Sequence, residues 1–296
     1  AYKKSCISLG FYEQCKELTK VRNELPEHKE VNSAAQQVTL KRLDLAFRHF
    51  FRRVKSGEKK VGFPRFKSLD RFAGFGFKGE GCGWKLISGC GVKHGHMQLS
   101  GIGRVKIRGK ARSIGIPKTL EIQRKQDRWY ASVTVECTPK RKGGKKAIGI
   151  DWGLETFATV ASQNGAIESF KNPRILRASL KELKLKQRNL SKKKRGSSNR
   201  KKSRKQVAKV HRKVANQRKD FLHQTTAKIV KNSAIIAVEK LNVKGMSSGG
   251  GAYKKGLNRE ILSAAPGAFH QMLKCKAEEA GIEYVEINTR TVKPSQ

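Results

Sequence analysis

Asp151 and Glu239 are the two residues best placed for chemistry. Each closes a short apolar run, Ala147-Ile148-Gly149-Ile150 before the first and Ile235-Ile236-Ala237-Val238 before the second. Acids at strand ends, although 88 positions apart in the chain, meet if the two strands are neighbours in one sheet. A buried acid there needs a cation or hydrogen-bond donors to compensate its charge. Facing each other, two carboxylates repel unless one takes a proton or a divalent metal lies between them. Mg²⁺ favours hard oxygen ligands and supports phosphodiester cleavage by offsetting charge on the attacking and leaving oxygens. A blander assignment gives Asp151 to a turn with Gly153 and pairs Glu239 with a lysine, and spacing alone leaves both open. A second cluster, Cys82, Cys90, His94 and His96, matches no common zinc module, which begins with two cysteines two to four apart. Its glycines and alternation read as hairpins. The six cysteines (Cys6, Cys15, Cys82, Cys90, Cys137, Cys275) include no C-x-x-C and read as reduced thiols.

The partner is written in the charge. Against 66 Lys and Arg stand 23 Asp and Glu, a formal net charge of +43, which draws polyanions at long range. Residues 171–219 carry 21 basic residues and one acid, Glu182. Two thin apolar seams run beneath that charge, Leu176, Leu180, Leu183, Leu190 and then Val207, Val210, Val214. They predict two helices joined at Gly196-Ser197-Ser198-Asn199, a hairpin over about 173–232 presented to phosphates. The candidate phosphate contacts are Lys192, Lys193, Lys194, Arg195, Arg200, Lys201, Lys202, Arg204, Lys205, Arg212 and Lys213, with Arg52, Arg53, Arg65 and Lys67 upstream. No run approaches ~18 apolar residues, so no membrane-spanning helix is expected, and the start lacks the apolar run of a signal peptide.

The elements that must position these residues fall into three parts. Residues 1–57 are helical in pattern, with Leu40, Leu43, Phe47, Phe50 and Val54 as a core-facing stripe. Residues 58–140 carry short, Gly-rich strands. Trp129, Ala131, Val133, Val135 and Cys137 alternate with polar residues, and Leu120 and Ile122 precede them across a Gln126-Asp127 turn. Such spacing predicts a small β-barrel. A basic linker, Arg141-Lys142-Gly143-Gly144-Lys145-Lys146, marks the main boundary. Residues 147–296 then read as a three-stranded meander, the basic hairpin, a fourth strand, one helix near 259–280 and a last strand at 284–287. This order fits a mixed sheet flanked by helices, in a multidomain α+β protein.

Gly149-Ile150-Asp151-Trp152-Gly153-Leu154, Val238-Glu239-Lys240-Leu241-Asn242-Val243-Lys244-Gly245-Met246 and Lys293-Pro294-Ser295-Gln296 together resemble three marks of the TnpB family. These are transposon-encoded relatives of type V CRISPR effectors. The likeness extends through Gly62-Phe63-Pro64-Arg65-Phe66-Lys67 and Arg218-Lys219-Asp220-Phe221-Leu222-His223. It implies a helical recognition lobe, a β-barrel wedge domain and a RuvC nuclease domain of RNase H-like fold. It also implies an RNA-guided DNA endonuclease that cuts beside a short target-adjacent motif, with guide RNA and double-stranded DNA as partners. Asp151 and Glu239 match the first two catalytic acids, with Mg²⁺ as cofactor. The resemblance further implies a strand before Ala1, and after Gln296 a Zn²⁺ ribbon and a third catalytic Asp. A prokaryotic cytoplasm, close to the nucleoid, is the implied location. The alternative function is an RNA-guided DNA-binding repressor that does not cut.

Overall fold

The computed structural model describes residues 10–58, 61–68, 71–87, 94–109, 115–125 and 128–288. The Gln126-Asp127 turn, Cys6, Cys90 and the Pro294-Ser295-Gln296 motif lie outside them. The chain forms two compact units, 1–138 and 139–296.

The first unit opens with helices α1 (Phe11–Glu24), α2 (Glu27–Glu30) and α3 (Ser33–Lys55). Asn32 starts α3 by accepting from the amides of Ala34 and Ala35 at 2.9 and 3.4 Å, which satisfies donors the first turn leaves open. The expected stripe is less buried than its periodicity implies. Leu40, Phe47 and Phe50 are half-buried, Leu43 and Val54 are exposed, and Ala35 is the helix's buried residue. Period fixes a face; how much covers that face is a tertiary matter.

Among the described residues six strands follow: β1 (Gly74–Phe77), β2 (Trp84–Leu86), β3 (His94–Leu99), β4 (Gly103–Arg108), β5 (Ile116–Lys125) and β6 (Arg128–Glu136). They make two three-stranded antiparallel sheets, ordered β1-β5-β6 and β2-β3-β4. The sequence suggested a barrel, whereas the described strands pair as two sheets. Alternation shows which side of a strand is apolar but not whether the ladder closes. Phe77, Trp84, Met97, Leu99, Leu120 and Ile122 fill the core between them, with Ala35 from α3.

The second unit is built on one five-stranded sheet. The meander β7 (Lys146–Trp152), β8 (Thr156–Ser162) and β9 (Ile167–Lys171) is antiparallel. Helices α4 (Ile175–Ser191) and α5 (Ser198–Asn232) lead to β10 (Ser233–Glu239). Then come α6 (Val243–Met246), α7 (Ala252–Ala264), α8 (Pro266–Ala280) and β11 (Glu283–Ile287). The sheet order is β11-β10-β7-β8-β9, with β10 parallel to both β7 and β11. The helix anticipated at 259–280 is two helices. Ala265 adopts a left-handed φ of 55°, and Pro266 opens α8. Proline lacks an amide hydrogen and disfavours helical backbone just before it, so α7 stops there. The break also re-aims the faces: Ile261, Phe269, Leu273 and Ala277 are buried, whereas Leu262 is exposed.

Ile148, Ile150, Trp152, Phe157, Val160, Ile236 and Val238 from the sheet pack against Leu222, Ile229 and Val230 of α5 and Phe269 and Leu273 of α8. Phe157 meets Phe221 and Phe269 edge-on, both at 4.9 Å between ring centres. The linker is fastened to this unit. Arg141 pairs with Glu279 at 3.0 Å, and the Gly144 amide donates to the Ser233 carbonyl at 2.8 Å.

Candidate active site

The strands that carry the two acids are neighbours, which is the condition on which the acids could meet. β7 and β10 are adjacent and parallel, with Ile150 opposite Val238, so Asp151 and Glu239 are the next residues on neighbouring strands. Such strands lie about 4.8 Å apart. Both acids stand at the carboxyl ends of their strands, the rim where open α/β sheets hold their ligands. They are not buried, however. Asp151 alternates with buried Ile150 and Trp152, which places it on the opposite, exposed face, and Glu239 is half-buried. Water can therefore reach them, and desolvation is not what demands a counter-charge.

The surrounding motifs are local structure that holds this rim. Gly153 follows at once, and a Cβ there would lie 2.7 Å from the Thr156 carbonyl oxygen, so the β7–β8 turn needs glycine. After Glu239, the Lys240 amide donates to the Ile287 carbonyl at 2.9 Å, and Asn242 caps α6 by accepting from the Gly245 amide at 3.0 Å.

Two neighbours were not singled out in the sequence. His270 on α8 has its pKa lowered by burial, a shift opposed by the nearby carboxylates Glu286 and Glu239. Tyr284 on β11 is pushed up to about 12, first by burial and then by Glu286. Glu286 sits beside Val238 in the ladder. The pattern's one available hint was that His270 follows Phe269, on the apolar stripe of its helix. Among the described residues, no group of three or more His, Cys, Asp or Glu is arranged to hold a metal. Asp151 and Glu239 nevertheless suit a hard, hydrated ion such as Mg²⁺, which keeps several waters and takes one or two carboxylates. Of the cysteine–histidine cluster, Cys82 is exposed, and His94 and His96 lie on β3 opposite Arg108 and Lys106.

The basic hairpin is formed by α4 and α5, with Leu183, Val210 and Val214 buried along its seam. Lys192, Lys193, Lys194, Arg195, Lys201, Lys202, Arg204, Lys205 and Lys213 are exposed; Arg212 is half-buried. Arg200 serves the fold instead. Its guanidinium donates to the Leu190 and Lys193 carbonyls at 3.0 and 2.9 Å, closing the end of α4. Arg53 similarly donates to the His49 and Gly62 carbonyls, while Arg52, Arg65 and Lys67 are exposed. Lys276, also missed, is buried and donates to the His223 carbonyl and the Thr226 hydroxyl, each at 2.6 Å, tying α8 to α5.

Residues 130–249 match the family OrfB_IS605, described as a probable transposase. A candidate RNA-guided DNA endonuclease, InsQ, of Escherichia coli K12 is 30% identical over 247 residues, 79% of this chain and 57% of that protein. A candidate RNA-guided DNA endonuclease of Streptomyces pristinaespiralis is 29% identical over 274 residues, 91% of this chain and 63% of that one. The chain thus spans about six-tenths of the length of these relatives. Among solved structures, a Cas12f1–sgRNA–target DNA complex aligns with a TM-score of 0.48 at 12% identity, covering 87% of this chain and 61% of that one. The chain is a member of the TnpB family.

Proposed function

We propose that the chain is the nucleic-acid-binding and catalytic part of an RNA-guided DNA endonuclease, with Asp151 and Glu239 in one Mg²⁺-dependent site. The observation that carries this reading is the adjacency of the two acids at the carboxyl ends of parallel strands. The sheet supports it further: an antiparallel meander, then two strands parallel to the first, is the order expected of an RNase H-like RuvC domain. The two three-stranded sheets of the first unit stand in the place of the wedge domain.

The residues divide the work. Asp151 and Glu239 would hold Mg²⁺, which when bound supplies charge to offset that building on the scissile phosphate. The rigid β7–β8 turn and the Asn242 cap keep the two carboxylates at fixed strand ends. The exposed lysines and arginines of α4 and α5 hold phosphates, which fixes position and affinity without reading sequence. Sequence reading falls to base pairing with a guide RNA, while the protein reads shape and a short adjacent motif.

Sequencing the RNA that copurifies with the intact protein, then offering matching DNA with Mg²⁺, tests the proposal. One abundant structured RNA and Asp151-dependent cutting are expected. A random RNA mixture without cutting overturns it, and guided binding without cutting points to a repressor.

A further inference from the structure

The tip of the β5–β6 hairpin carries aromatic rings that the first unit's core does not use. Leu120 and Ile122 are buried, and their cross-strand partners are Val133 and Ala131; the next pair in that row is Arg124 and Trp129. Here the core face runs out. β1 pairs with β5 as far as Gln123, the Ala73 carbonyl accepts from the Arg124 amide at 2.6 Å, and Trp129 on β6 is 60% exposed. The Arg124 guanidinium lies 6.0 Å from the Trp129 ring centre. On the other face, Tyr130 is 41% exposed, with the Lys125 ammonium 5.9 Å from its ring centre.

Among the described residues, the charge beside these rings is basic, from Arg124, Lys125 and Arg128. Glu121 pairs with Arg42 and Glu136 with Lys118. Among the described residues, no ion pair takes Arg124, Lys125 or Arg128. A flat ring with a cation beside it suits a ligand that is both a π-face and an anion, and a nucleotide is both. A duplex keeps its bases stacked inside, whereas folded RNA offers unpaired bases in loops and bulges for aromatic stacking.

We propose that Trp129 is a stacking platform for an unpaired base of bound RNA, with Arg124 and Arg128 on the flanking phosphates. This rests on the RNA-guided reading of the chain, and assigns that RNA a contact in the first unit, separate from the basic hairpin. Trp84 and Trp152 are buried, so Trp129 fluorescence reports the contact.

The full chain, Trp129→Ala and Trp129→Phe are titrated with single-stranded uridine RNA of about 12 nucleotides, and with the matching deoxyuridine strand. RNA should quench the wild-type emission. Trp129→Ala should weaken RNA binding on the order of 5- to 150-fold, as loss of one stacked base does. The salt dependence should keep its slope, because no phosphate contact is removed. Trp129→Phe, which keeps a ring, should retain most of the affinity. Unchanged RNA binding by Trp129→Ala, with Asp151-dependent cutting intact, overturns the inference while sparing the proposed function. An equal loss on the deoxy strand overturns the assignment to RNA, and no RNA binding by the wild type overturns both readings.

Discussion

The two units differ in the size of their cores. In the second, Phe157, Phe269, Leu222, Ile236 and Leu273 are shut inside one sheet-and-helix core, although Tyr253 and Ile167 stay exposed. In the first, Phe77, Trp84, Met97 and Leu120 make a smaller core, while Phe66 is 93% exposed and Tyr12, Phe51, Phe63 and Trp129 are exposed as well. The contrast separates two demands: a carboxylate pair must be held at fixed strand ends, whereas a binding face must leave its rings available.

Removing a carboxylate should give the largest effect. Asp151→Ala should lower DNA cutting to background yet leave RNA and target binding nearly intact, because the basic surface is untouched. Glu239→Ala should match it, and the double change should be little worse, since groups acting as a unit are non-additive. Full cutting by Asp151→Ala would end the assignment.

Binding itself should be governed by salt. If six to ten phosphates are engaged, affinity should fall about 10³–10⁵-fold between ~50 and ~200 mM salt. Neutralising Lys201, Lys202, Arg204 and Lys205 should flatten that dependence for matched and unmatched sequences alike. A slope that stays the same would move the contacts elsewhere.

Calorimetry can sharpen the contrast directly. Phe269→Ala should cost the second unit about 3–5 kcal/mol, as loss of a fully buried ring does. Phe66→Ala should stay within about 0.5 kcal/mol in stability, the usual range for a surface change, and show itself only in binding. Lys276→Ala should cost about 1–3 kcal/mol, because the His223 carbonyl and Thr226 hydroxyl lose a buried donor.

The smallest effect concerns pH. Burial disfavours the phenolate of Tyr284, raising its pKa to about 12 from about 10. The stability this contributes is present in full below pH ~10 and is lost as pH rises towards ~12. An ultraviolet titration should show one late tyrosine that Tyr284→Phe removes; no late step would show the ring to be better solvated.

Much of this was legible in the residues. The seams of α4 and α5 and the β5–β6 hairpin follow from local period and punctuation. That β7 and β10 are neighbours, which sets Asp151 and Glu239 on adjacent strands, was only a condition in the sequence and is supplied by the sheet. What escaped depends on tertiary partners. Whether the first unit's strands close into a barrel, which acids are shielded, and that Arg200 closes α4 rather than facing outward cannot be read from spacing. Lys276 looks like any helix-face lysine until α5 is laid against it. The kink at Ala265-Pro266 was there to be read, but the continuous apolar pattern around it masked it.

The basic linker is only partly a linker. A Cβ on Gly144 would fall 2.3 Å from the Asn232 carbonyl carbon, and one on Gly143 would fall 2.2 Å from the Ile282 side chain. With Arg141 held by Glu279, this stretch behaves as a seam stitched to the second unit. For anyone splicing this protein, the glycines of the basic segment are therefore poor insertion points. Added bulk at Gly143 or Gly144 pries at the junction of α5, β10 and β11, and so reaches the sheet that carries Glu239.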